Sequence, residues 1–211
     1  MNEITAKQKI ETLCFVSRET ISRLEVYAEL LEKWNPKINL VSKSTLGSKW
    51  ERHFLDSAQV WPLIPKTVKS LVDIGSGAGF AGLVIALIGM EKRPELSVTL
   101  IESDARKCAF MRNVSRETGL RIDIQTKRIE DVTNFNADIV TARALATVSQ
   151  LLKYSENLLA KNGSCLFLKG DACAIELAEA QKSWIFSAKE TQSVTHSTGR
   201  LLYLTGIKRA N

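Results

Sequence analysis

The stretch from Ser70 to Gly82, answered by Glu102, constrains this chain more than any other. Leu71-Val72-Asp73-Ile74 is a short apolar run holding one acid, and Gly75-Ser76-Gly77-Ala78-Gly79 follows at once. A helical apolar pattern opens at Phe80. A second apolar run, Val98-Thr99-Leu100-Ile101, ends on Glu102, about 20 residues beyond the glycines. This is the order of a nucleoside-binding crossover: strand, glycine turn, helix, second strand, carboxylate. Gly75 and Gly77 can take positive φ and let the backbone approach a ligand where a Cβ would intrude. The helix that follows presents free N–H groups to whatever rests on the turn. A carboxylate at the end of the second strand can accept hydrogen bonds from both hydroxyls of a ribose.

Gly77 to Gly82 also satisfies G-x-G-x-x-G, so the expression alone does not choose the nucleoside. Register is more informative. The glycine that closes the first strand is Gly75, which gives G-x-G-x-G, and Asp73 stands two residues before it. A carboxylate there would repel a pyrophosphate but attract a cationic amino group or sulfonium. These residues favour S-adenosylmethionine, held by Asp73, Gly75, Gly77, Gly79 and Glu102. An NAD-linked oxidoreductase on the same fold is the alternative.

At 211 residues the chain can bury one sizeable core with an appendage. Its net charge of +6 suits a polyanionic partner without requiring one. No apolar run approaches the roughly 20 residues that cross a bilayer, and the N-terminus lacks an apolar signal core. A cytoplasmic protein away from membranes is expected, and nothing points to an obligate dimer, so a monomer is expected. Cys14, Cys108, Cys165 and Cys173 are scattered, with no histidine at ligand spacing, and read as buried small hydrophobes with no metal.

Along the chain, Ile4 to Trp34 reads as helix, with Leu24, Tyr27, Leu31 and Trp34 on one face and Asn35-Pro36 as its stop. Ser44 or Thr45 can cap a further helical piece reaching Trp61, so residues 1–66 form a helical N-terminal cap. From there to residue 211, strand and helix alternate. Helices are expected over Gly79–Met90, from Ser103 or Asp104 to Gly119, from Val148 to a stop at Asn162-Gly163, and over Asp171–Ser183. Strands are expected at Arg121–Gln125, Ala137–Ala142 and Ser164–Leu168, with Trp184–Phe186 and Arg200–Leu204 as a hairpin. Such alternation predicts an α/β fold with a doubly wound, mainly parallel, Rossmann-like sheet whose ligands lie outside the carboxyl ends of the strands.

That rule singles out the strand exits: Glu102, Arg128-Ile129-Glu130, Arg143-Ala144 and Lys169-Gly170. Ile129 and Glu130 suit the wall and amino-group acceptor of an adenine pocket. Arg143 and Lys169 suit an anion, either the cofactor carboxylate or a phosphate. In Arg52-His53-Phe54-Leu55-Asp56-Ser57, a histidine and an aspartate at i and i+3 share a helix face, where they can floor an active site or pair with each other. His196 is isolated and carries no assignment.

With Asn39-Leu-Val, Arg52-His-Phe-Leu-Asp-Ser57, Asp73-Ile-Gly-Ser-Gly-Ala-Gly79, Arg143-Ala and Leu168-Lys-Gly170 in this order, the chain resembles the RsmG (GidB) family over nearly its whole length. These bacterial enzymes methylate N7 of a guanosine in 16S ribosomal RNA of the small subunit. The resemblance implies a cofactor site at Gly75, Phe80, Ile129, Glu130 and Arg143, with Glu102 as ribose partner. Ala81 departs from it, standing where the family commonly has proline, and Ser197-Thr-Gly-Arg200 matches only loosely.

The chemistry is consistent with this. Guanine N7 carries a free in-plane lone pair, so no base is needed, and alignment and electrostatics dominate. No Asn/Asp-Pro-Pro-aromatic run follows the fourth strand, as an exocyclic-amine methyltransferase would need, and no cysteine follows a proline. Asn39, His53, Asp56 and Arg143 are the candidates around the reacting base. Lys43, Lys49, Arg52, Arg128, Arg143 and Lys169 are the candidates for the RNA backbone. A non-catalytic RNA-binding or assembly protein is the third reading.

Overall fold

The computed structural model describes residues 1–133 and 135–210. Five parallel strands, β1 (Ser70–Ile74), β2 (Ser97–Glu102), β3 (Asp123–Thr126), β4 (Ala137–Arg143) and β5 (Leu159–Lys169), are joined by an antiparallel hairpin of β6 (Trp184–Gln192) and β7 (Arg200–Arg209). The sheet order is β3-β2-β1-β4-β5-β7-β6. The chain therefore winds outward from β1 in one direction and from β4 in the other, and the crevice between these two strands is the switch point at which such sheets bind ligands.

The cap consists of α1 (Glu3–Cys14), α2 (Arg18–Ile38), the single turn α3 (Lys43–Leu46), a π-helical segment at Trp50–Leu55, and α4 (Asp56–Ala58), which runs on from it. Helices α5 (Gly82–Lys92) and α6 (Ala105–Thr118) share one face of the sheet with this cap in a continuous core that includes Leu24, Tyr27, Phe54, Leu83 and Phe110. The opposite face is covered by α7 (Val148–Ser155) and α8 (Cys173–Ala180), packed on Val72, Ile101, Val140 and Phe167. The four cysteines are all free and buried. No helix among the described residues is long and apolar enough to cross a membrane.

Several boundaries differ from the sequence expectation, each for a local reason. The first helix is two: Phe15, at φ 53, ends α1, and Ser17 opens α2. Pro36 does not stop α2, because in the last turn its missing N–H forfeits only one intrahelical bond, and the helix ends on Asn39 in the left-handed region. The helix after β1 begins at Gly82 rather than Gly79. A Cβ at Gly82 would strike the Leu100 side chain and come within 2.8 Å of Asp73 Cβ, so glycine is what seats α5 against the sheet. After β4, α7 ends at Ser155, so Asn162-Gly163 does not stop a helix but lies inside β5. There a Cβ on Gly163 would meet the Ala137 carbonyl at 2.8 Å, beside a register shift in the β4 ladder. The hairpin strands run longer than their apolar centres, because ladder bonds extend through polar residues such as Lys189 and Glu190. α8 is shorter than expected at both ends, and β3 begins at Asp123 rather than Arg121.

Candidate functional site: the switch-point cleft

A cavity of about 480 Å³ opens at the β1/β4 switch point. Its floor is the Gly75–Ala78 turn. Glu102 and Ile129-Glu130 stand on one side, Arg143 to Leu145 on the other, and Leu40, Val41 and His53 of the cap close over it. Such a volume falls within the roughly 300–1,000 Å³ of small-ligand sites.

The turn is built for close approach. Gly75 and Gly77 have φ near 59 and 58, and a Cβ on Gly77 would meet nothing nearer than 3.9 Å, so its backbone faces open space. Glu102 holds the turn in place. Its Oε2 accepts from the Gly77 N–H and its Oε1 from the Asp104 N–H, both at 2.8 Å. One lone pair on each oxygen is left for a ligand, which accommodates the paired hydroxyls of a ribose. An open glycine backbone, a carboxylate with spare acceptor capacity and an apolar wall at Ile129 fit the donor set and shape of an adenosine-type cofactor.

Two residues expected to touch the cofactor stand elsewhere. Gly79 does not line the cavity; its φ of 95 and its contacts with Leu83 and the Tyr27 hydroxyl make it a packing glycine. Asp73 is 1% exposed and lies behind the turn. One carboxylate oxygen accepts from Thr141 at 2.8 Å, and the other approaches Gly82 without completing a hydrogen bond. Burial pushes this carboxyl up to about 6, against the opposing bond from Thr141. Asp73 thus places a buried acid against the first turn of α5, where the helix dipole favours it, outside the residues that line the cavity.

His53 and Asp56 do not pair with each other. They meet through Arg143, which the end of β4 carries between them. Arg143 Nε lies 3.2 Å from Asp56 Oδ2, and its Nη2 donates to the Arg52 carbonyl at 3.0 Å and to His53 Nδ1 at 2.7 Å. A guanidinium can only donate, so Nδ1 is the acceptor and the imidazole is neutral with its proton on Nε2. That N–H reaches Thr45 Oγ1 at 2.9 Å, and the Thr45 hydroxyl passes on to the Ser42 carbonyl. Phe80 stacks on His53 and on Tyr27, with ring centroids 5.1 Å apart in both pairs. Burial first, then the charges of Arg143 and Arg52, push His53 down to about 3.

His53 is therefore a neutral strut, and it has a pH signature. Its folded value lies below its ordinary 6.5, so its share of stability is complete above pH 6.5 and is lost as pH falls toward 3. Asp73, raised in the fold, acts with the opposite sign and loses stability as pH rises through about 4 to 6. Replacing His53 by glutamine should remove only the first contribution. The stability of the variant relative to the wild type should improve by up to about 1.4 kcal/mol per pH unit between pH 6 and 4, read by urea unfolding. A difference independent of pH would refute the assignment.

The remaining expected residues divide by their partners. Asn39 is exposed at the end of α2 and outside the cavity, although its neighbours Leu40 and Val41 line it. Lys49 pairs with Glu32 at 2.9 Å. Lys169 pairs with Glu176 at 2.6 Å and donates to the Ala146 carbonyl, so, like Arg143, it is neutralised in place rather than held ready for an anion. Arg128 lines the cleft, joined there by Lys107 and Lys127, which the sequence did not single out. Tyr27 was also missed. Its buried hydroxyl donates to the Ala78 carbonyl at 2.5 Å and ties the cap to the glycine turn. In the sequence it is simply one more apolar position of α2, since its partner lies 51 residues away.

Comparison with known proteins agrees with this geometry. A relative from Rhodospirillum centenum, a ribosomal RNA small subunit methyltransferase G, is 50% identical over 91% of this chain and 87% of its own. Another of that name, from Paramagnetospirillum magneticum, is 46% identical over 96% of both chains. Among solved structures, a ribosomal protein L11 methylase from Lactobacillus delbrueckii subsp. bulgaricus superposes with a TM-score of 0.54 at 15% identity, covering 76% of this chain and 79% of that one. A SAM-dependent methyltransferase from Aquifex aeolicus gives the same TM-score at 11% identity, over 75% and 92%. These distant likenesses carry the fold, which is that of class I methyltransferases. The family pattern of rRNA small subunit methyltransferase G matches residues 20–203, and with the two close relatives it places this chain in the rRNA small subunit methyltransferase G (GidB) family.

Proposed function

We propose that the protein transfers a methyl group from S-adenosylmethionine to N7 of a guanosine in 16S ribosomal RNA. The observation that carries this reading is the switch-point cleft, in which an open glycine turn faces Glu102 in a chain of this family. Bound there, the cofactor would supply a sulfonium methyl group to the in-plane lone pair of N7, leaving as a neutral thioether, chemistry that releases no proton.

The residues of the chain bind, orient and exclude water. Gly75 and Gly77 offer backbone to the cofactor, Glu102 its sugar acceptors, and Ile129 and Glu130 the wall and acceptor for its base. Leu40, Val41 and Phe80 keep the reacting end dry, and a dry site strengthens every charge interaction in it. Arg143, paired with Asp56 and bonded to His53, fixes the mouth between cap and sheet and, as a guanidinium, offers no proton acceptor.

The test is incubation of the protein with labelled S-adenosylmethionine and small-subunit ribosomal RNA, as free RNA and as assembled subunits, followed by nuclease digestion and mass spectrometry. One 7-methylguanosine per RNA is expected. Methylation of another base, or calorimetric binding of NADH in place of S-adenosylhomocysteine, would refute the reading.

A further inference from the structure

A second cavity, of about 260 Å³, adjoins the cleft and shares the Arg143-Ala144 wall with it. It is smaller than the roughly 300–1,000 Å³ of sites for drug-sized ligands, which suits a single ring system rather than a whole cofactor. Leu168, Leu201 and Ala144 give it an apolar floor. Its far side is the link between β6 and β7, which the cap holds in place. Gln59 donates to Ser193 Oγ and accepts from the Val194 N–H, and Asp56 accepts from the Thr195 hydroxyl. On the shared wall, Ala144 sits at φ 50, a conformation that side-chain-bearing residues rarely adopt and that clusters where ligands are clamped.

The charges around this cavity fall into two kinds. Arg143 and Lys169, at its base, are neutralised by Asp56 and Glu176. Arg52 and Arg200, which reach it from the cap and from β7, have no carboxylate partner among the described residues. Arg52 is exposed, and among the described residues the Arg200 guanidinium donates only to the neighbouring Gly199 carbonyl. An anion gains most from cations whose charge is not already spent, and a guanidinium can grip phosphate with two parallel bonds.

We propose that this second cavity receives the acceptor nucleotide, its base against Ala144, Leu168 and Leu201 and its phosphate clasped between Arg52 and Arg200. The assignment rests on the functional reading above and adds to it where the RNA lies. An enzyme that modifies a base needs a pocket for that base outside the stack, and the pocket must adjoin the donor. The base inserts between the cap and the β6–β7 link, with the shared wall bringing its reactive edge to the cofactor cleft.

The experiment compares the intact protein with R52Q, R200Q, the double variant, the corresponding lysine variants, and K161Q, an exposed cation at the opposite end of β5. S-adenosylhomocysteine affinity should stay within twofold in all of them. Methyl transfer should show KM for small-subunit RNA raised about tenfold by each arginine-to-glutamine change, with kcat kept within about threefold. The slope of log affinity against log salt should fall by about 0.7 per arginine lost. Arginine-to-lysine changes should retain the slope, and K161Q should match the intact protein. Unchanged KM and slope in the double variant, or loss of S-adenosylhomocysteine binding in either single glutamine variant, would overturn the proposal. If the unaltered protein binds S-adenosylhomocysteine yet transfers no methyl to small-subunit RNA, the functional reading fails first and this one fails with it.

Discussion

Replacing Arg143 by methionine is expected to destabilise the protein by about 3 kcal/mol and to lower methyl transfer at least a hundredfold. The guanidinium links His53, Asp56 and the Arg52 carbonyl, and it lies 5.5 Å from the centre of the Phe80 ring. Its loss leaves His53 Nδ1 without its donor and the partly buried Asp56 carboxylate without its counter-charge, although Gln59 and Thr195 still donate to Asp56 Oδ1, and removing one member of such a pair costs more than the pair contributes. At this chain length the change should appear as a fall of roughly 10 °C in Tm. Lysine should restore part of the stability but little of the activity, since a single ammonium cannot serve three acceptors in one plane. A distinct readout is the His53 titration, held down first by burial and then by the charges of Arg143 and Arg52, which should rise from about 3 by the share that Arg143 contributes. An unaltered Tm with an unaltered His53 titration would show that the network does not hold the cap to the sheet.

Replacing Glu102 by alanine is expected to weaken S-adenosylhomocysteine binding about a hundredfold, or about 2.7 kcal/mol. The carboxylate does two jobs. It accepts the Gly77 and Asp104 N–H groups, each such charge-assisted bond contributing roughly 1.5–3 kcal/mol, and it retains lone pairs for the sugar. Removing it loosens the glycine turn and withdraws the sugar acceptors together. Glutamine keeps the shape and one acceptor but turns an NH2 toward a backbone donor, so a loss of about tenfold is expected. Calorimetry on the two variants checks this. Alanine binding within twofold of the wild type would mean that Glu102 faces no ligand.

The chemistry that was legible in the sequence is the chemistry that lies close together in the chain. The glycines, the strand before them and Glu102 at the end of the next strand belong to one crossover unit, and its strand–turn–helix–strand order forms as the pattern predicts, with the helix starting three residues later, at Gly82. Positions governed by a single backbone requirement were also readable, as with Gly75 and Gly77. Element ends were less so. The β5 strand reaches back to Leu159, which pairs with Ala137 of β4, and Asn162-Gly163 fall in the register shift before Ser164 pairs with Ile139, an irregularity that the apolar run does not announce. Pro36 stays inside α2 because the helix was about to end in any case.

What the sequence by itself determined is the class of fold and the crossover at whose turn the switch-point cleft opens, since periodicity and glycine spacing act over a few residues and need no distant partner. What only the tertiary structure decided is which charges remain free. Arg143 and His53 meet across about 90 residues of chain, Lys169 is matched by Glu176 and Asp56 by Arg143, whereas among the described residues Arg52 and Arg200 are left unmatched beside a second cavity. A charge has the same formula in the sequence whether it is paired or not. Its availability depends on the distance and burial of its neighbours, and those are set only when the sheet, the cap and the hairpin close on one another.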